Sequence, residues 1–397
     1  MMNNKAKIMK DTTGYLDQCV SICGKIGMGR TNVYRQAGPM LEFSTVRLTK
    51  VGMIGDHETH WQTLRDEQLS RIRTVPEELR GETTDLQWAI HPGAAWLAAR
   101  GIGDYSKSVA EAAEKLIADG HRNADGLFDD PVYPGHLSTE IMAMTIPALA
   151  FAGKCSGNGA FFDEAVRQYE GYAAVLYDPA AKLWHPGYLP GKATGEMWRY
   201  WDKSILTQGL YLKKTGVFQG CWSRGEGYAL FALSELVFEL PDSHPKKAEL
   251  LQVREQMLEG LLQYQDTNGM WHQVLNDWGS YPETSGTAWI LYAMGRLIKR
   301  GRTAVSRFLA PYQKGLAGMG RYLAWDGSLF NVSTGCICPG GRGTAADYAL
   351  LGWRKDEPAG CAPVLLALQQ AAQIEFATGL IPSYQEVLKQ FPGDEVL

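Results

Sequence analysis

No stretch of this 397-residue chain approaches the roughly 20 consecutive apolar residues of a membrane-spanning helix. The start, Met1 to Lys10, is polar and lacks the apolar core of a secretory signal. An excess of one charge is missing too. With 39 Lys and Arg against 43 Asp and Glu, the net charge of −4 offers no electrostatic footprint for nucleic acid or an anionic membrane. Seven cysteines, an odd number without framework spacing, argue against a disulfide scaffold and, with the polar start, point to reduced thiols and a cytoplasmic address. Cys336 and Cys338 stand close together but lack a second Cys/His pair at zinc spacing. Gly-x-Gly-x-x-Gly after a strand, a Walker loop, His-Glu-x-x-His and Gly-x-Ser-x-Gly are all absent, so no metal or cofactor is expected. No Pro/Gly/Ser-rich linker or charge block divides the chain. Residues 1–55 read as an irregular N-terminal arm with a short strand near Met40 to Leu48, and 56–397 as one catalytic unit.

What is present is a repeat. Asp125-Gly126-Leu127-Phe128, Lys182-Leu183-Trp184-His185, Asn268-Gly269-Met270-Trp271-His272 and Asp326-Gly327-Ser328-Leu329-Phe330 each place a turn residue before an apolar-aromatic pair. After each comes a polar loop rich in Tyr, Gly, Ser and acidic residues, then a helix heavy in Ala, Leu and Met. A unit recurring at intervals on the order of fifty to ninety residues signals a repeat architecture.

Helical spacing predicts helices over 60–73, 84–100, 105–120, 138–153, 159–177, 222–240, 245–266, 282–300, 304–324 and 358–378. They alternate in character. Those at 138–153, 222–240, 282–300 and 358–378 are apolar all round and must be buried, whereas 105–120, 159–177, 245–266 and 304–324 each carry a charged face suited to an outer layer. Inner and outer helices taken in turn predict an all-α double ring. Loops 121–137, 178–221 and 267–281 then gather where the inner helices begin, and loops of that length are usually functional. Twelve Trp and eighteen Tyr exceed the need of a helical core, so a carbohydrate partner is expected, since sugar rings stack on such faces.

Candidate chemistry sits at the inner-helix starts. Ser138 reads as an N-cap, placing Glu140 in the first turn, either as a general acid or as a carboxylate favouring the helix dipole. Ser223 and Glu226 fit a capping box, and so do Ser280 and Glu283. Arg224, beside Gly225 and close to Trp222, suits capture of a carboxylate. Trp271, His272 and Tyr281 are candidates for stacking on and hydrogen bonding to a sugar, and His185 holds the corresponding place in its own unit.

With these motifs in hand, the chain from about Trp88 to Ala377 resembles the unsaturated uronyl hydrolases, glycoside hydrolase families 105 and 88. Trp222-Ser223-Arg224-Gly225-Glu226-Gly227-Tyr228 looks like that family's Trp-Gly-Arg-Gly-Asn-Gly-Trp. Gly269 to Leu275, Tyr281 to Ser285, Leu183-Trp184-His185 and Gly360 to Leu368 add to the likeness. The resemblance implies an (α/α)6 barrel, a six-hairpin toroid, that removes a 4,5-unsaturated uronic acid from an oligosaccharide end by hydrating the enol ether. It implies Arg224 and His185 around the uronate, Trp222 and Trp271 as stacking surfaces, and Tyr228, His272, Gln273 and Tyr281 as further substrate contacts. Two departures stand out. Glu140 occupies the position of the family's catalytic Asp, in Glu140-Ile141-Met142-Ala143-Met144-Thr145-Ile146-Pro147, and His91 that of a second Asp. The catalytic candidates are therefore Glu140 and His91. The added methylene of Glu140 moves its carboxyl by about an ångström, enough to demand a reshaped pocket. Hydrolysis of a saturated glucuronide, a non-catalytic carbohydrate-binding barrel, and a lyase or epimerase remain alternatives. The sequence leaves homo-oligomerisation open.

Overall fold

The computed structural model describes residues 92–131, 133–190, 216–218, 220–299, 302–324, 326–336 and 345–378, together with Tyr15, Gln18, Cys19 and Ile22. The predicted helix 60–73, the strand at 40–48 and His91 lie outside the described residues.

Helices take up most of the described chain: α1 (Pro92–Ala98), α2 (Ser106–Asp119), α3 (Thr139–Ser156), α4 (Gly159–Leu176), α5 (Ser223–Glu239), α6 (Lys247–Leu262), α7 (Thr284–Ile298), α8 (Arg302–Gly320), α9 (Ala345–Leu350) and α10 (Pro358–Thr378). The alternation of character read from the sequence becomes two layers. α1, α3, α5, α7 and α10 pack on one another in chain order as the inner layer. α2 packs outside α3, α4 outside α3 and α5, α6 outside α5, and α8 outside α7. The driving force is burial. α3 is enclosed from Thr139 to Gly153 with one exception, and α7 along its whole length, whereas α2 buries only Val109, Ala113 and Leu116.

The fourfold sequence unit has a clear structural meaning. Gly126, Lys182, Gly269 and Gly327 all have positive φ, at 76°, 56°, 91° and 82°. That left-handed turn sends the chain back from the end of an outer helix, where glycine is the natural choice. The apolar pair that follows is driven into the core: Leu127, Phe128, Leu183, Trp184, Met270, Trp271 and Leu329 are each at most 3% exposed.

Six two-residue strands were not expected: β1 (Leu137–Ser138), β2 (Tyr177–Asp178), β3 (Leu183–Trp184), β4 (Gly187–Tyr188), β5 (Val332–Ser333) and β6 (Trp353–Arg354). They pair antiparallel as β1–β4, β2–β3 and β5–β6. Three backbone hydrogen bonds tie rim loops to the start of the preceding inner helix. Thr139 N–H donates to Pro186 O beside the β1–β4 pair, Ser223 N–H to Gln273 O, and Thr284 N–H to Asn331 O. The starts of α3, α5 and α7 are thereby locked around one mouth.

The segment 1–55, read as an irregular arm, shows helical order where it is described. Tyr15, Gln18, Cys19 and Ile22, at helical spacing, are helical and buried, and the Gln18 amide donates to Ala324 O at 2.8 Å. The reason is their i, i+3, i+4, i+7 pattern, which gives one face to the core.

Candidate active site

Successive inner helices aim their N-termini into one bowl, and Glu140 and Arg224 meet there. At the start of α3, Ser138 is the N-cap, its hydroxyl accepting from Ile141 N–H at 3.3 Å. This places Glu140 in the first turn, where it is the single residue between Thr139 and Gly153 that is not buried. No described side chain or backbone group makes a hydrogen bond to its carboxyl. The surrounding protein strips water from the charged form, and this desolvation pushes the carboxyl above its ordinary value. Arg224 and then His136 oppose the rise, and Asp130 adds to it. The helix N-terminus, which lowers a carboxyl, does not win here.

Arg224, in the first turn of α5, is 2% exposed. Its guanidinium lies over the Trp222 ring, 4.7 Å from the centroid, and donates to Ser333 O at 3.1 Å and Ser285 Oγ at 3.4 Å. Its buried Nε–H has no partner among the described residues. Burial works against its charge, but Tyr228, Glu283, Glu140 and Glu357 more than offset that. Tyr228, one turn further along α5, is held neutral by burial and by the nearby Glu140. Tyr281 is half-buried, its hydroxyl donates to Gly352 O at 3.3 Å, and it too lies within the field of Glu283 and Arg224.

Four other candidates are occupied in holding the bowl together. Trp271 is fully enclosed, with Nε1–H donating to Leu261 O at 2.8 Å, so it offers no open face to a sugar. Trp222 is likewise enclosed, stacked between Arg224 and Tyr348, and forms the wall behind the guanidinium. His272 is clamped between Asp266, at 3.0 Å, and Ser280 O, which fixes the turn after the third repeat. The Gln273 amide donates to Ser333 Oγ at 3.0 Å and to Tyr348 O at 3.3 Å from a buried position. The first two serve as large rings of the core. His185 sits at the edge of the bowl, next to Pro186, whose carbonyl receives the Thr139 N–H. Burial lowers its imidazole, while Asp178 and the Phe218 backbone act in the opposite direction.

Both expected capping boxes rearrange. α5 starts at Ser223 with Trp222 at the cap, and Glu226 turns away to accept from Trp184 N–H at 2.7 Å. Burial raises the Glu226 carboxyl to about 8. Glu283, not Ser280, caps α7, accepting from Ser285 N–H and Oγ, Gly286 N–H, Ser333 N–H and Ser223 Oγ. Five donors make it a structural anion.

Three groups at the bowl went unremarked in the sequence. Glu357, preceding α10, is buried and faces Arg224; burial raises its carboxyl, and Arg224, Arg354 and the Ala359 N–H oppose. Asp130 and His136 lie in the loop before α3, with Asp130 Oδ2 3.5 Å from His136 Nδ1. No metal-binding group of three or more His, Cys, Asp or Glu exists among the described residues, and no described helix is long and apolar enough to cross a membrane.

The chain is 24% identical over 237 residues to the unsaturated rhamnogalacturonyl hydrolase YesR of Bacillus subtilis (strain 168), a match covering 58% of this chain and 61% of that protein. Among solved structures, a family 105 glycoside hydrolase of C. acetobutylicum superposes with a TM-score of 0.69 at 19% identity, covering 89% of this chain and 98% of its own. The unsaturated glucuronyl hydrolase of Bacillus sp. GL1 gives 0.64 at 12% identity, covering 96% and 98%. The fold is thus the all-α double ring expected from the paired helices, in the (α/α)6 form that the family resemblance implied. The model of Glycosyl Hydrolase Family 88 matches residues 98–374, which include every described inner helix start from α3 to α10, and the chain belongs to that family.

Proposed function

We propose that the protein releases a terminal 4,5-unsaturated uronic acid from an oligosaccharide by acid-catalysed hydration, with Glu140 as the proton donor. The observation that carries this reading is the state of Glu140: open to the bowl, without a hydrogen bond from any described residue, desolvated, and facing Arg224. A carboxyl pushed upward by loss of solvent is suited to acid catalysis. Glu140 gives its proton to C4 of the enol ether, and positive charge develops at C5. Water adds at C5 and returns a proton to the carboxylate. The resulting hemiketal opens and frees the rest of the sugar, so proton and water balance over one turnover. Arg224 supplies the cation for the uronate carboxylate, with its unpartnered Nε–H as one donor. Tyr228 and Tyr281 supply hydroxyls at the same wall. YesR, by its name, acts on an unsaturated rhamnogalacturonyl group, and the glucuronyl hydrolase likewise on an unsaturated sugar.

The test is to offer unsaturated disaccharides from pectin, ulvan and glycosaminoglycans and follow the enol-ether absorbance. Loss of the band with a gain of one water in the product mass supports the reading. Cleavage of saturated glucuronides alone overturns it. Glu140→Gln is expected to lower kcat by about a thousandfold or more with binding retained.

A further inference from the structure

We propose that Trp353, on the outer strand of the rim, is the stacking platform for the sugar that leaves, and so sets the preference of the site for the unit next to the uronate. The inference deepens the reading of the bowl as a uronate-releasing site and rests on it.

Among the described residues Trp96, Trp184, Trp222, Trp271 and Trp289 are buried, whereas Trp278 and Trp353 are exposed, at 53% and 44%. A lone exposed ring needs no explanation. What distinguishes Trp353 is its attachment. It lies on β6, and the β5–β6 register pairs it with Ser333. Thr334 N–H donates to Gly352 O at 3.1 Å, which makes Ser333 and Trp353 the non-hydrogen-bonded pair of the ladder. The backbone polar groups of Ser333 therefore point away from β6. Its N–H donates to Glu283 at 3.0 Å and its carbonyl accepts from Arg224 at 3.1 Å. Thus β5 carries the guanidinium on one edge and the strand of Trp353 on the other. The step from β5 to β6 is one strand spacing, roughly 5 Å, comparable to the span of a sugar ring. Tyr281 closes the same corner, its hydroxyl donating to the Gly352 carbonyl at 3.3 Å, next to Trp353.

Opposed residues of an antiparallel pair send their side chains to one face of the ladder. Ser333 Oγ, on that face, accepts from the buried Gln273 amide at 3.0 Å. Val332, on the other face, packs at Gly360 in α10. Trp353 therefore shares the face of Ser333 and Gln273, not the face that α10 covers. Among the described residues its ring meets no other aromatic ring and its indole N–H no acceptor. Leu350, at the end of α9, is 81% exposed and adds apolar surface just before it. With the uronate on Arg224, the rest of an oligosaccharide leaves by the open mouth, past the strand outside the one that holds the guanidinium. An indole face there suits the flat apolar side of the next sugar ring, and the indole N–H is left for one of its hydroxyls. Trp278 has no such link. Its ring meets the His272 ring edge-on at 5.5 Å, and His272 is turned to Asp266, beyond the end of α6.

The experiment compares an unsaturated disaccharide with the methyl glycoside of the same unsaturated uronic acid, which has no second ring. Trp353→Ala should lower the ratio of kcat/KM for disaccharide over methyl glycoside about tenfold, chiefly through KM, and Trp353→Phe should restore most of it because a ring returns. Trp278→Ala should leave the ratio where it was. A ratio unmoved by Trp353→Ala overturns the platform. So does an equal loss on both substrates, the pattern of a disturbed Ser333–Arg224 contact, and so does an equal shift from Trp278→Ala. The same comparison is made without turnover in Glu140→Gln, by calorimetric titration of the two compounds. If the wild type cleaves neither while Trp353→Ala still weakens disaccharide binding alone, the proton-donor reading fails and the platform stands. If the wild type cleaves both and Trp353→Ala changes neither rates nor binding, the platform alone fails. Should Trp353→Ala fold poorly, Trp353→Gln, checked by unfolding temperature, gives the same decision.

Discussion

Two glutamate–arginine pairs join neighbouring inner helices, one near each end of the barrel, and they are built differently. At the closed end, Glu235 of α5 accepts directly from Arg296 Nη1 and Tyr292 Oη of α7. Both residues of this pair are buried, and Phe238 covers the guanidinium at 4.1 Å. At the mouth, Glu140 of α3 and Arg224 of α5 face each other with no hydrogen bond between them. The first pair has spent its donors and acceptors on itself. In the second, Arg224 bonds to Ser333 O and Ser285 Oγ and the Glu140 carboxyl accepts from no described group, at a cost in stability. The same two residue types thus serve as a bolt and as a tool, and what separates them is that the bolt's carboxylate is buried on its own cation while the tool's opens to the bowl without a hydrogen bond.

The contrast breaks most sharply on activity. Glu140→Gln removes the tool and should abolish turnover while leaving the unfolding midpoint unchanged or higher, because an unpaired, desolvated carboxyl is lost. Arg296→Met should do the reverse. Leaving Glu235 buried without its cation costs about 3–5 kcal/mol, read as a lowered denaturant midpoint, and the folded fraction should retain its KM. A stability loss from Glu140→Gln as large as that from Arg296→Met would erase the distinction. Arg224→Lys is a smaller change. A lysine keeps the charge but cannot match a planar carboxylate with two parallel donors, so KM should rise about tenfold with kcat less affected. An unchanged KM would place the uronate elsewhere.

The sequence revealed the framework well because the framework is periodic. Apolar-all-round and one-faced helices alternate, and that alternation becomes the two layers. The four turn motifs share a left-handed residue at the Gly and Lys positions read as turns. Glu140 and Arg224 were legible because they follow recognisable helix starts. What could not be read depends on partners far along the chain. Glu283 looked like the third residue of a Ser280 capping box, but Ser333, fifty positions on, supplies one of its donors. Glu226 looked like the partner of Ser223, but Trp184, forty-two positions back, takes it. Trp271 and His272 looked like sugar contacts because aromatic and imidazole groups flank a rim loop, yet their neighbours in space close over them. Local rules assign a cap from a few residues, and the interlocked rim loops reassign it.

Glu226 sharpens the comparison from a third side, as a carboxyl that is buried like Glu235 but has no cation. Among the described residues its one hydrogen bond comes from Trp184 N–H, and its Oε1 has no partner. In the folded chain it takes up a proton at about 8, against roughly 4.3 when exposed. Between those values the folded state holds a proton that the unfolded state has released. Stability contributed by this group must therefore fall as pH rises through that window, with a slope no steeper than about 1.4 kcal/mol per pH unit. Below the window both states are protonated and the effect vanishes. Glu226→Gln keeps an acceptor for Trp184 N–H and has nothing to titrate. Relative to the wild type, its unfolding midpoint should thus climb as pH is raised from about 5 to about 8. Parallel curves for the two proteins would mean that Glu226 is charged in the folded state after all. Burial alone would then fail to keep a carboxyl protonated in this core, and the upward push that loss of solvent gives Glu140 at the mouth would lose its support.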